Sequence, residues 1–113
     1  MNLTPEVLAA LNDKGYARKI KREVEPYMLF DPEYAYQYAR YVLRGRFERG
    51  EKLVAADAGS AYWYAKDVIG GPWIMGEEAI ARTVVADDYL YFLEHYEFEA
   101  DAKRFRTRMG WGD

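Results

Sequence analysis

The amino-acid sequence predicts an all-α fold: a compact, α-solenoid-like stack of helix–turn–short-helix units. A degenerate unit caps its N-terminal side and a single helix caps the other. Three observations predict it. The segment DPEYAYQYARYVLRGRFERGEKLVAA (31–56) runs straight into DAGSAYWYAKDVIGGPWIMGEEAIAR (57–82), with ten of 26 positions identical and close swaps such as Leu43/Ile69 and Phe47/Trp73. A period of that size marks stacked supersecondary units. Within each unit the apolar residues recur at the helical period, not in alternation. Gly and Pro fall between the apolar runs, where helices stop.

Taken in order, Thr4 and Pro5 open a helix through about Asn12, and YARKIKREV (16–24) forms another. EPYMLFD (25–31) matches EKLVAAD (51–57) in its Glu, its Asp and its apolar run, so it reads as the second helix of a degenerate unit before 31. Asp31 is an N-cap, with Pro32 at the first helical position and Glu33 in the first turn. Gly45 and Gly71 are expected to take the positive φ of a C-cap, and Pro72 blocks continuation. Phe47 or Trp73 then plugs the gap before a short second helix. That helix starts near Gly50 or Gly76, with Glu51 or Glu77 favourably placed against its dipole. DDYLYFLEHYEF (87–98) resembles the first helix of a third unit, shifted by one residue. A basic, aromatic tail (102–113) closes a single domain spanning 1–113.

On a helical wheel the repeated positions Tyr38, Val42, Ala35, Ala39, Leu43 and Tyr36 form one stripe of roughly 160°, the width of a face packed on neighbours. The positions that change between copies lie on the far side: Gln37 becomes Trp63, Tyr41 becomes Asp67, and Tyr34 becomes Ser60. Trp63 is therefore expected to face away from the core, either under a neighbouring segment or as an anchor for a partner. In 87–98, Tyr89, Phe92, Leu93 and Tyr96 make one apolar face, and Tyr91, His95 and Phe98 make a second, nearly opposite. A helix apolar on two sides is sandwiched or forms an interface. Either the tail covers that second face through Phe105, Met109 and Trp111, or a second copy or another protein does.

Half of the 113 residues are apolar, a folding composition, and there is no cysteine, which excludes a disulfide scaffold, a thiolate metal site and a thiol nucleophile. No apolar run has the length of a signal or membrane segment, so a soluble, cytoplasmic protein is expected. The net charge of −3 hides a segregation: residues 57–101 hold ten acids against only Lys66 and Arg82. Such a surface is either simply solvated or suited to a basic partner.

Catalytic chemistry is not expected. His95 is the only histidine and Ser60 the only serine, too few for a nucleophile–base–orienter set. Asp88, Glu94 and His95 diverge around a helix and make a poor metal site. Glu77 and Glu78 point apart, and GRFERGE and GGPWIMGE are helix connectors, not phosphate loops. No cofactor or metal is implied. Lys103, Arg104, Arg106 and Arg108, interleaved with Phe105, suggest contact with nucleic acid, but the acidic stretch just before them would repel a phosphate backbone.

The pattern DPEYAYQYARYVLRGRF…GE, repeated as D…AYWYAKDVIGGPW…GE, resembles short helical repeats of uncharacterised function from large bacteriophages and other large viruses. Their unit reads S/D-P-E-x-A-Y-x-Y-A-x-x-V-I-x-G-R-W-x-E-G-E. Ala35, Tyr36, Tyr38, Ala39, Val42, Gly45, Phe47, Gly50 and Glu51, with their partners 26 further on, carry the resemblance. The departures are Pro72 in place of a basic residue, and Arg49 and Met75 in place of an acid. The resemblance implies a viral origin and a helical stack, and no activity.

The expected function is non-catalytic binding of another protein through Trp63, Tyr41, Asp67, Tyr91, His95 and Phe98. If the chain is phage-encoded, the partner is a host enzyme or defence complex that it binds and inhibits in the host cytoplasm. Homodimeric assembly through the second aromatic face, Tyr91, His95 and Phe98, is the alternative, and nucleic-acid binding through the basic tail the third reading.

Overall fold

In the computed structural model, which describes residues 24–111, every regular element of those residues is helical. The helices expected over 4–12 and 16–24 fall, but for Val24, outside the described residues. Residues 24–28 are helical. Asp31 then holds an extended backbone, and its carboxylate accepts from the N–H groups of Glu33 (2.8 Å) and Tyr34 (3.3 Å), so helix α1 starts at Pro32. α1 runs over Pro32–Gln37 and widens into a π-helix over Tyr38–Leu43. A short 3-10 turn, Glu48–Gly50, leads into α2, Glu51–Ala55. The second copy follows the same course. Asp57 caps α3 (Ala58–Tyr64) by accepting from Ser60 N–H at 3.0 Å, a π-helix covers Ala65–Ile69, and α4 spans Ile74–Ala81. α5 (Val85–His95) and α6 (Glu99–Met109) complete the chain.

The C-caps differ from expectation by one residue. Positive φ belongs to Arg44 (53°) and Gly70 (77°), not to Gly45 and Gly71. The cause is the π-helix: its N–H groups bond five residues back, as Gly70 does to Ala65 at 2.8 Å, and so shift the terminus relative to an α-helical count. Gly71 is small for another reason: a Cβ there would stand 3.3 Å from the ring of Phe98.

Consecutive elements pack in chain order, and α1 also reaches α3, α2 reaches α4, and α3 reaches α5. The wheel stripe is the packed face: Ala35, Tyr36, Tyr38, Ala39 and Val42 are buried and Leu43 is partly so. Phe47 and Trp73 are buried plugs, each worth about 2–3 kcal/mol of apolar burial. Tyr38 meets Phe47 edge-on at 5.0 Å, and Tyr64 meets Trp73 at 4.6 Å.

Sequence reasoning assigned Glu51 and Glu77 to the helix dipole, but they do more. Tyr64 from α3 accepts from the backbone N–H of Phe47 (2.9 Å) and donates to Glu51 (2.7 Å), which Arg46 grips with two bonds of 2.7 and 2.8 Å. Tyr89 from α5 accepts from Trp73 N–H (3.0 Å) and donates to Glu77 (2.6 Å). At the N-terminal side Tyr38 donates to Glu25 at 3.0 Å, and Arg49 holds the same carboxylate at 2.9 Å. Glu25, Glu51 and Glu77 are spaced by 26. The Glu51 and Glu77 clusters thus each tie a connector, a short helix and the next long helix together, and give the buried connector N–H of Phe47 or Trp73 a partner.

The electrostatics follow from this geometry. The Arg46 bonds hold the Glu51 carboxyl below its ordinary range. Burial pushes Glu77 up, but the bonds from Arg104 and Tyr89 outweigh it and leave Glu77 below its ordinary value as well. Burial, reinforced by the neighbouring carboxylate, drives the Tyr64 and Tyr89 phenols well above theirs.

The C-terminal part departs most from expectation. The terminal helix begins at Val85, where Thr83 Oγ1 accepts from Val85 N–H (3.1 Å), and ends at His95, not at 98. The supposed tail is the 11-residue helix α6. Glu99 and Asp101 lie in its first turn and Arg106 and Arg108 in its last, the order the helix dipole favours. Phe105 is fully buried against Tyr89, with ring centres 4.9 Å apart.

Candidate partner-binding surface

Part of the surface, Trp63, Tyr41 and Asp67, comes from positions where the two copies differ. Trp63 follows the buried pair Ser60–Ala61 on α3 by about half a turn, and it is 45% exposed. Its ring lies 5.2 Å from that of Tyr62, and Lys66 Nζ stands over it, also at 5.2 Å. It forms one wall of an open cleft of about 400 Å³ between α1 and α3, shared with Glu33, Tyr36, Arg40, Asp57, Gly59 and Ser60.

Asp67 and Tyr41 are less available than expected. Asp67 accepts from the Tyr36 hydroxyl (2.7 Å) and pairs with Arg40 (3.2 Å), so it stitches the long helices of the two copies together. Tyr41 packs against the core edge with the Arg40 guanidinium 4.9 Å above its ring.

On α5, Tyr91 is 65% exposed and stacks on the exposed His95, centroids 5.3 Å apart and planes 11° from parallel. His95 meets Tyr96 edge-on at 5.1 Å. Here Tyr96 and Phe98 exchange the places the wheel assigns them. Tyr96, expected in the core face, is 55% exposed, whereas Phe98, expected outside, turns in against Gly71 and Phe92. The reason is the backbone at Glu97. Its φ of 68° ends the helix, with Phe98 N–H bonding Leu93 O at 2.8 Å, so residues beyond His95 leave the wheel. Burial raises the pKa of the Tyr62 phenol, beside Trp63, and the charges of Asp88, Asp67 and Tyr96 reinforce it.

The basic residues of 103–108 do not form one free patch. Arg104 grips the fully buried Glu77 with bonds of 2.6 and 2.8 Å, and Arg106 pairs with Glu94. Lys103 and Arg108 are exposed. The basic helix thus lies folded against the acidic part of its own chain. Arg40 and Glu33, which complete the Trp63 cleft, escaped sequence reasoning because on the wheel they belong to a helix edge that repeats no apolar residue.

Among the described residues no three His, Asp or Glu side chains stand close enough to hold a metal ion. Nor is any helix of those residues long and apolar enough to cross a membrane. The fold and the surface together define an all-helical protein stitched by buried tyrosine–glutamate clusters, with exposed aromatics on two of its long helices. The chain matches no family model, no curated protein and no solved structure.

Proposed function

We propose that the chain is a non-catalytic, solenoid-like helical-repeat protein that acts by binding another protein through its exposed aromatics. The observation that carries this reading is α5: Tyr89, Phe92 and Leu93 already complete the core on one face, yet Tyr91, His95 and Tyr96 stack together outside it. Folding needs no such surface, whereas tyrosine and tryptophan dominate the energetics of interfaces. Asp87 and Asp88, in the first turn of the same helix, would steer a basic partner. The resemblance to viral repeats supports a phage-encoded accessory protein whose partner is a host enzyme or defence complex, bound and inhibited in the host cytoplasm.

Self-association through the same aromatics is the competing reading, and light scattering at high concentration separates the two. The nucleic-acid reading loses support because Arg104 and Arg106 hold carboxylates of their own chain. The test is retention of a specific protein from host lysate by wild type beside Trp63→Ala and Tyr91→Ala. Both side chains are exposed, so both variants should fold with stability within about 0.5 kcal/mol of wild type. Retention by wild type and loss by the folded variants is expected; equal retention by all three would remove the aromatic surface as the binding site.

A further inference from the structure

The two copies of the unit share a backbone course but differ around one space. Glu33, Tyr34 and Gln37 in the first copy become Gly59, Ser60 and Trp63 in the second. Three of those replacements line the cleft between α1 and α3. Two of them are small and open it; the third supplies a flat aromatic wall. A Cβ on Gly59 would meet nothing closer than an Asp57 oxygen at 3.8 Å, so no packing demand explains that glycine.

The charges around this space are unequal. Arg40 also lines the cleft and is exposed, but it pairs with Asp67 at 3.2 Å, which offsets its charge, and donates to the Tyr36 hydroxyl at 2.8 Å. Glu33 and Asp57 remain, two exposed carboxylates from the starts of the two long helices. Trp63 itself already draws one cation to its ring, Lys66. A flat aromatic face beside two carboxylates suits a planar cation, which stacks on the ring while its N–H groups point at oxygen acceptors.

We infer that this cleft receives the guanidinium of an arginine carried by the protein partner. The inference rests on the protein-binding reading and names the chemistry of one part of that surface. Arginine is preferred to lysine because its fork meets a carboxylate with two bonds and its plane stacks on indole.

The test uses the full chain labelled with nitrogen-15, with the Trp63 indole resonance assigned by Trp63→Phe. N-acetylarginine amide is titrated in, and N-acetylcitrulline amide serves as the neutral probe of the same shape. The Trp63 resonance should move saturably with the arginine probe and not with citrulline, while the buried Trp73 stays still. In Glu33→Gln/Asp57→Asn, which keeps side-chain size and a competent helix cap, apparent affinity should fall about tenfold. A motionless Trp63 resonance, an equal response to citrulline, or unchanged affinity in the double variant would overturn the inference.

The lysate experiment keeps the two claims distinguishable. If the Glu33/Asp57 variant retains the partner as wild type does, while Trp63→Ala and Tyr91→Ala lose it, the arginine site falls and the protein-binding reading stands. If the probe binds as expected while the aromatic variants keep the partner, the reading falls and the site stands.

Discussion

Gly50 and Gly76 do the same work at equivalent positions. A Cβ on Gly50 would stand 2.7 Å from the Phe47 ring and 3.2 Å from Ala35 Cβ; one on Gly76 would stand 2.8 Å from the Trp73 ring and 2.9 Å from Ala61 Cβ. The alanines sit on the backbones of α1 and α3, so neither can yield without moving a helix. Gly76→Ala should therefore destabilise by about 1–2 kcal/mol, the overpacking cost less the gain in helix propensity. Gly59→Ala should do the opposite, stabilising by about 0.5–1 kcal/mol, because its Cβ makes only an ordinary contact with an Asp57 oxygen at 3.8 Å and helix propensity decides. Urea midpoints check both signs; a rise for Gly76→Ala would mean that the short helix tolerates displacement.

At the scale of elements, α6 supplies what the second copy lacks. In the first copy Arg46 clamps Glu51 from within the unit. The position 26 residues on is Pro72, which has no charge to offer Glu77, and Arg104 reaches in from α6 instead, 27 residues away in sequence. Removing Arg104 leaves a fully buried carboxylate with Tyr89 as its remaining strong partner. Breaking a buried pair costs 3–5 kcal/mol, and the partial exposure of Arg104 argues for the lower side, so Arg104→Ala should cost about 2–3 kcal/mol. Pro72→Arg in that background restores the arrangement of the first copy and should recover about half of the loss. No recovery in thermal unfolding would show that the connector course at 72 cannot aim a guanidinium at Glu77.

For the whole molecule, the tyrosine–glutamate clusters set the pH range of stability. Glu51 and Glu77 titrate below the ordinary value of 4.5 when folded, so below that pH the unfolded chain binds the extra protons. Their contribution is complete above about pH 4.5 and is lost as pH falls through the folded values. Tyr64 and Tyr89 titrate above the ordinary value of 10.0 when folded, so their contribution is complete below that pH and is lost as pH rises beyond it. Tm against pH should show a plateau with an acid and an alkaline limb, and Glu77→Gln should flatten the acid limb. An acid limb of unchanged slope in that variant would place the titration elsewhere.

What the sequence by itself determined is the helical class, the copy of a 26-residue unit, the Asp31 and Asp57 caps, the buried stripe from Ala35 to Leu43, and an outward-facing Trp63. All of these are local: a period, a cap and a duplicated string need only neighbours along the chain. The tertiary structure decided the rest. Helix α6 was hidden because its charges dominate the composition of 99–109, and its one deeply buried aromatic, Phe105, gains meaning only beside Tyr89. The exchange of Tyr96 and Phe98 hangs on a single left-handed residue, Glu97, which no periodicity announces. The roles of Glu51, Glu77 and Asp67 depend on partners 5 to 31 residues away. A carboxylate in a sequence reads as surface until the fold brings a guanidinium and a phenol to it, and burial then makes those contacts count.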